Sequence, residues 1–188
     1  MKHVKEYTRK SIHLIFGIFF LALIYFLGTN LSVQIISACL ILGIIVSLLI
    51  KNKIKIPFLG KIVESVEREN EKKFPGTAAI MFFISAIILL VIFQNDKTIV
   101  LAALSVQVFA DAFAAIIGIT FGKTKILGKK TLEGSAACFV VALLCISYFY
   151  PIHIALIAAI VATIIELIPL DDNLWVPLFT ATVLKLIA

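Results

Sequence analysis

The chain has 188 residues, 62% of them hydrophobic, a mean hydropathy of +1.13 and a formal net charge of +6. A composition so apolar excludes an ordinary water-soluble domain and makes a bilayer the expected solvent. The basic excess does not point to nucleic acid, and no nucleic-acid partner is expected, because the lysines and arginines sit in short segments between apolar runs. Cys39, Cys138 and Cys145 lie inside those runs without paired spacing or a nearby histidine, which argues against a disulfide frame or a zinc site and for small packing residues.

The apolar stretches predict an all-α integral membrane protein of about seven transmembrane helices, at 12–27, 33–50, 76–94, 98–119, 134–150, 152–168 and 174–187. Residues 1–188 read as a single transmembrane catalytic domain without an internal repeat. The first stretch does not read as a cleavable signal, since no small-residue cleavage site follows it. The polar segment at about 51–75 reads as a cytoplasmic or interfacial loop, either with a short amphipathic helix or as a solvated connector. Phe74-Pro75-Gly76-Thr77 then marks the start of the third helix, with Thr77 as its cap. Tyr150-Pro151 separates the fifth helix from the sixth. A cytoplasmic N-terminus puts all but Lys97 and Lys185 of the 17 basic residues on one side, as the positive-inside rule requires. The expected location is the cell membrane, with any chemistry on the cytoplasmic face.

Arg9 and His13 stand one helical turn apart at the start of the first helix, where they could hold a phosphate; His13 by itself reads first as a hydrogen-bonded structural histidine. Asp111 lies deep in the fourth helix, and an ionisable residue there is either functional or the partner of a buried base. Ala114, Ala115 and Gly118 share its face, so a neighbouring helix or a ligand could approach closely. Gly118, Gly122, Gly128 and Gly134 fit neither a Walker loop nor a Rossmann turn. Interleaved with Lys123, Lys125, Lys129 and Lys130, they could surround phosphate oxygens with backbone amides and ammonium groups. Asp111 and Glu133 beside that basic loop suggest a divalent cation bridging phosphates. Glu166 and the run Asp171-Asp172-Asn173 offer further oxygen ligands, with Asp172 or Asn173 also available to cap the last helix.

Taken in order, Arg9-Lys10-x-x-His13, Phe74-Pro75-Gly76, Asp111-x-x-Ala114-x-x-x-Gly118-x-x-Phe121-Gly122, Lys130-Thr131-x-Glu133-Gly134-Ser135 and Glu166…Asp171-Asp172-Asn173-Leu174-x-Val176-Pro177 resemble the CTP-dependent lipid kinases, a group of dolichol kinase, phytol kinase and CTP-dependent diacylglycerol kinase. The resemblance implies transfer of the γ-phosphoryl of CTP to a membrane lipid alcohol, with Mg²⁺ as cofactor. It implies Asp111, Lys130, Glu133, His13 and Arg9 as catalytic residues. Gly118, Gly122, Lys123, Lys129, Lys130, Thr131, Glu133, Gly134 and Asn173 would bind nucleotide, and Asp111, Glu133, Asp171 and Asp172 would bind metal. The middle motif is also similar to the phosphatidate cytidylyltransferases. The Arg-Lys-x-x-His start, the Asp-Asp-Asn ending, the short chain and the lack of a longer acidic motif near the C-terminus favour the kinases. A small transporter using Asp111 and Glu166 is the reading from another class; the almost purely apolar outer halves of the helices speak against it. An oligomer is compatible with the sequence.

Overall fold

The computed structural model describes residues 2–52, 54 and 75–188. Phe74 and the expected interfacial helix within 51–75 fall outside these residues, apart from the segment's two ends. The described chain is all-α but for one small hairpin. Helix α1 spans Lys2–Lys51 and is broken at Gly28, whose φ of 76° and ψ of 179° change the chain's direction. Only glycine takes that left-handed φ readily. Its first arm begins about ten residues before the expected start at 12. The extension is polar but not solvated along its whole length: the Tyr7 and Thr120 hydroxyls share a hydrogen bond of 2.7 Å, and Lys10 is buried.

Helix α2 is Thr77–Ile92. Gly76, in the left-handed conformation and without a side-chain cap bond, holds the N-cap position, so Thr77 is the first helical residue rather than the expected cap. Helix α3, Lys97–Ser105, opens on Asp96, which accepts a hydrogen bond from the Ile99 amide at 3.3 Å. It runs through a π turn at Val106–Ala110 into α4, Asp111–Phe121. Strands β1, Lys125–Leu127, and β2, Lys130–Thr131, pair antiparallel in a hairpin that the apolar patterning did not announce. Helices α5 (Leu132–Ser147), α6 (Ile152–Leu167) and α7 (Asp172–Ile187) follow.

Helix α5 packs between α4 and α6, α7 lies against α6, α2 and α3, and α1 covers α2 and α3. Ala155, Ala158, Ala159 and Ala162 of α6 are fully buried, and their small side chains let the neighbouring helices come close. Among the described residues two helices, Val4–Lys51 and Lys97–Phe121, are long and apolar enough to cross a membrane. The apolar helices α2, α5 and α6 are shorter, at 16 residues each. Large apolar side chains point outward all round, with Phe26 79% and Leu144 66% exposed. In water such a surface would be a large association patch. The start of α1, the end of α4, the hairpin, the start of α5, the end of α6 and the start of α7 meet at one end of the bundle, and there the polar groups collect.

Candidate active site

Helix α4 delivers Asp111 to this end. The preceding π turn releases backbone carbonyls from the regular ladder, a distortion frequent at functional sites. One of them, Gln107 O, lies 3.3 Å from His13 Nε2 on α1. The Gln107 side chain, fully buried, donates to the Asn173 carbonyl oxygen at 2.5 Å and pairs with the Ser85 hydroxyl at 3.2 Å. A single π-turn residue thus ties α1, α2 and α7 to the helix that carries Asp111. The Asp111 carboxylate is buried and forms an ion pair and hydrogen bond with Lys10 of α1, with His13 Nε2 3.8 Å from the same oxygen. Asp111 therefore has a buried basic partner, and that partner is Lys10, the neighbour of Arg9 in sequence.

The close crossing of α4 and α5 sets the opposite wall. A Cβ on Gly134 would come within 2.9 Å of the Ala114 carbonyl oxygen and 3.3 Å of the Gly118 Cα, so the two glycines let the backbones touch. Thr131 sits at that corner and caps α5, its Oγ1 accepting from the Gly134 amide at 3.2 Å. The turn of the hairpin carries Gly128, at φ 57°, and projects Lys129 and Lys130. Lys130 reaches across to α6 and α7, donating to Glu166 and to Asp172 Oδ2, the latter at 2.9 Å. Burial pushes the Lys130 ammonium's pKa down, but Asp172 and Glu166 beside it outweigh burial and hold it above the ordinary lysine value of 10.5.

Between these walls lies a cavity of about 690 Å³, lined by Arg9, Lys10, Asp111, Lys130, Ser135 and Glu166 among others. A smaller chamber of about 290 Å³ shares Arg9, Lys10, Asp111 and Asp172 with it and adds Asp171 and Asn173. The structure therefore brings together Arg9, Asp111, Gly118, Lys129, Lys130, Thr131, Gly134, Asp171, Asp172 and Asn173 from the expected set. Gly122, Lys123 and Glu133 are not among the residues that line either chamber. Glu133 instead accepts from the Thr124 amide at 3.3 Å, closing the loop that leads into the hairpin. His13 stands behind Asp111, edge-on to Phe82 with ring centroids 5.5 Å apart. The cap of α7 is Asp171, one residue before the two candidates, with its Oδ1 accepting from the Asn173 amide at 3.1 Å.

Among the described residues no three His, Cys, Asp or Glu side chains group to hold a metal ion. Asp111 is taken up by Lys10 and Glu133 by a backbone amide. Asp171, Asp172 and Asn173 line one chamber; two carboxylates plus ligand oxygens suit Mg²⁺, which would share Asp172 with Lys130 and Asp171 with the cap of α7. Sequence reasoning did not assign Lys10, Gln107 or Ser135. Lys10 and Gln107 carried a signal, a polar side chain on the inward side of an apolar helix; Ser135, a small hydroxyl at a helix start, carried none.

An all-α fold with outward apolar faces, and a cavity lined by lysines and carboxylates at one end, defines a membrane-associated protein. The family model described as "Cytidylyltransferase family" matches residues 1–187. The chain belongs to this cytidylyltransferase-like family, in which the CTP-dependent lipid kinases are included. It is 32% identical over 186 residues to an uncharacterized protein of Methanocaldococcus jannaschii, covering 97% of this chain and 94% of that one. It is also 30% identical over 199 residues to the "Probable phytol kinase, chloroplastic" of Triticum aestivum, covering 94% of this chain and 65% of that protein's length. No solved structure matches.

Proposed function

We propose that this protein transfers the γ-phosphoryl group of CTP to the hydroxyl of a membrane lipid alcohol, giving a lipid monophosphate and CDP. The observation that carries the reading is the cavity of about 690 Å³, basic on its hairpin and α1 walls and acidic on α6 and α7, at one end of an apolar bundle. The similarity to a phytol kinase supports the reaction class. A polyphosphate needs cations and amide donors, and a phosphoryl transfer is achieved mainly by positioning and by neutralising charge.

In this reading all seven helical arms cross the bilayer, with the N-terminus and the cavity on the cytoplasmic side. Lys129, Lys130 and Arg9 hold phosphate oxygens. The Arg9 side chain, braced by an ion pair to Glu6, supplies a fixed guanidinium. Asp111 serves as the buried counter-charge that keeps the Lys10 ammonium in place at the mouth. Asp171, Asp172 and the Asn173 amide would hold Mg²⁺, which offsets charge on the phosphates. The lipid's tail stays among or beside the apolar helices, because hydrocarbon is its most stable surrounding. Its hydroxyl enters the cavity from the bilayer side, and CTP enters from water.

The family's name favours one second reading, in which a lipid phosphate attacks the α-phosphorus of CTP and a CDP-lipid forms. Incubation of the purified protein with Mg²⁺, CTP labelled separately at the α and γ positions, lipid alcohols and lipid phosphates separates the two. Transfer of γ-label to lipid with release of CDP is the expected result. Transfer of α-label with release of pyrophosphate overturns it in favour of the second reading, and CTP binding without transfer of either label overturns both.

A further inference from the structure

We infer that Ser135 and Glu166 form the seat of the acceptor hydroxyl, and that Glu166 Oε2 takes its proton; the inference rests on the phosphotransferase reading above. Buried polar atoms are almost always hydrogen-bonded, and each exception calls for a partner. Among the described residues three buried side-chain atoms have none: Arg9 Nε, Ser135 Oγ and Glu166 Oε2. All three residues line the same cavity of about 690 Å³.

Arg9 Nε can only donate, so it suits a phosphate oxygen. The other two ask for something different. Glu166 is 3% exposed and Ser135 6%, and they stand on α6 and α5, which both line this cavity. The carboxylate oxygen needs a donor, while the serine hydroxyl needs a group that accepts or donates. A phosphate would be repelled by Glu166. A hydroxyl answers both at once, donating to Oε2 and accepting from Ser135.

Two hydroxyls come with the proposed substrates, that of the lipid alcohol and those of the nucleotide's ribose. The position of Lys130 decides between them. Its ammonium is hydrogen-bonded to the other oxygen of the same carboxylate, Glu166 Oε1. A phosphoryl group held by Lys130 therefore lies next to whatever Oε2 holds, and the acceptor hydroxyl must lie beside the group it attacks. The ribose is at the far end of the triphosphate. Asp111 is the weaker candidate for this role, since its Oδ2 is engaged by Lys10 and, unlike Glu166, it has no oxygen among the buried atoms left without a partner.

The step then balances. The alcohol oxygen forms a bond to the γ-phosphorus as its O–H bond breaks and the proton passes to Glu166 Oε2. The bond between the γ-phosphorus and the bridging oxygen breaks, and its electron pair leaves with CDP.

The test uses the full-length protein in detergent with Mg²⁺, CTP and whichever of phytol, a polyprenol or diacylglycerol the wild type phosphorylates. Turnover, the KM for the alcohol and the Kd for CTP are measured for wild type, Glu166→Gln and Ser135→Ala. The expected results are a kcat lowered about 10²–10⁴-fold in Glu166→Gln with CTP affinity within about threefold of wild type. Ser135→Ala raises the KM for the alcohol roughly tenfold at unchanged CTP affinity. A Glu166→Gln protein that keeps more than about a tenth of its turnover, or that loses CTP binding in step with turnover, overturns the inference. So does a loss of CTP affinity well beyond threefold in Glu166→Gln that 2′- or 3′-deoxy-CTP reproduces with the wild type, because the seat then holds a ribose. Where Glu166→Gln does not fold, an unchanged alcohol KM in Ser135→Ala overturns it alone. Failure of the wild type to phosphorylate any alcohol strikes the phosphotransferase reading instead, independently of the variants.

Discussion

The two ends of this bundle carry ion pairs of opposite character. At the cavity end, Lys10 and Asp111 are both buried, with side chains 4% and 10% exposed. At the other end, Lys185 and Asp96 lie 3.8 Å apart with side chains 61% and 35% exposed, beside the Lys97 ammonium on the Tyr25 carbonyl oxygen. An exposed pair is easily tolerated and contributes little. A buried one has a large desolvation cost to recover, and a protein that keeps it at one end has a use for fixed charge there. The contrast is the one that the proposed site calls for, with buried charge at the cavity end and exposed charge at the other.

That contrast can be broken most sharply at Asp111 or Lys10. Asp111→Asn leaves the Lys10 ammonium buried without its counter-charge, and Lys10→Met does the reverse. Each is expected to lower stability by about 3–5 kcal/mol, seen as a drop in thermal unfolding temperature in detergent, with loss of turnover. A stability equal to wild type in both would show that Asp111 and Lys10 do not depend on each other.

Lys130→Ala comes next. Removing a charged donor to phosphate is expected to weaken CTP binding by about 1.5–3 kcal/mol, read from its Kd. The pH dependence of this contact has a definite sign. Because the folded-state pKa of Lys130 is raised above 10.5, its ion pairs contribute fully below that value and fade only as pH rises through the higher, folded one. CTP affinity should therefore stay level in its Lys130-dependent part between about pH 7 and 9, and a decline that Lys130→Ala abolishes would contradict it.

A smaller effect is expected where the walls of the site meet. In Gly134→Ala the new methyl presses on the Ala114 carbonyl oxygen and the Gly118 backbone, at an expected cost of about 1–3 kcal/mol in unfolding free energy. At the opposite end, Lys185→Ala should change stability by no more than about 1 kcal/mol and leave turnover intact. A large loss there would erase the distinction between the two ends.

Much of this was legible in the order of residues. Apolar runs mark where helices form, since each must bury its backbone hydrogen bonds and expose only apolar side chains to hydrocarbon. Helix-breaking residues mark their limits, as Pro151 does before α6. A lone carboxylate in such a run, Asp111, announces a site because a charge there needs a partner or a function. The basic loop with Lys123, Lys125, Lys129 and Lys130 and the Asp171-Asp172-Asn173 run announce the same end of the molecule.

What the order of residues did not reveal depends on contacts between distant helices. The polar start of α1 continues as helix because Lys10 and Tyr7 find partners on α4, about a hundred residues away in sequence. Thr131 and Gly134, expected at a ligand, are also cap and close-packing residue, and Glu133 turns to a loop amide because of how α5 enters the bundle. Composition and residue order suffice to make the chain helical, apolar and basic at one end. Which cation meets which carboxylate, and that Glu166 Oε2 and Ser135 Oγ stay without a protein partner, follows from the packing of distant helices, because pairing inside a low-dielectric bundle is set by three-dimensional distance and not by spacing along the chain.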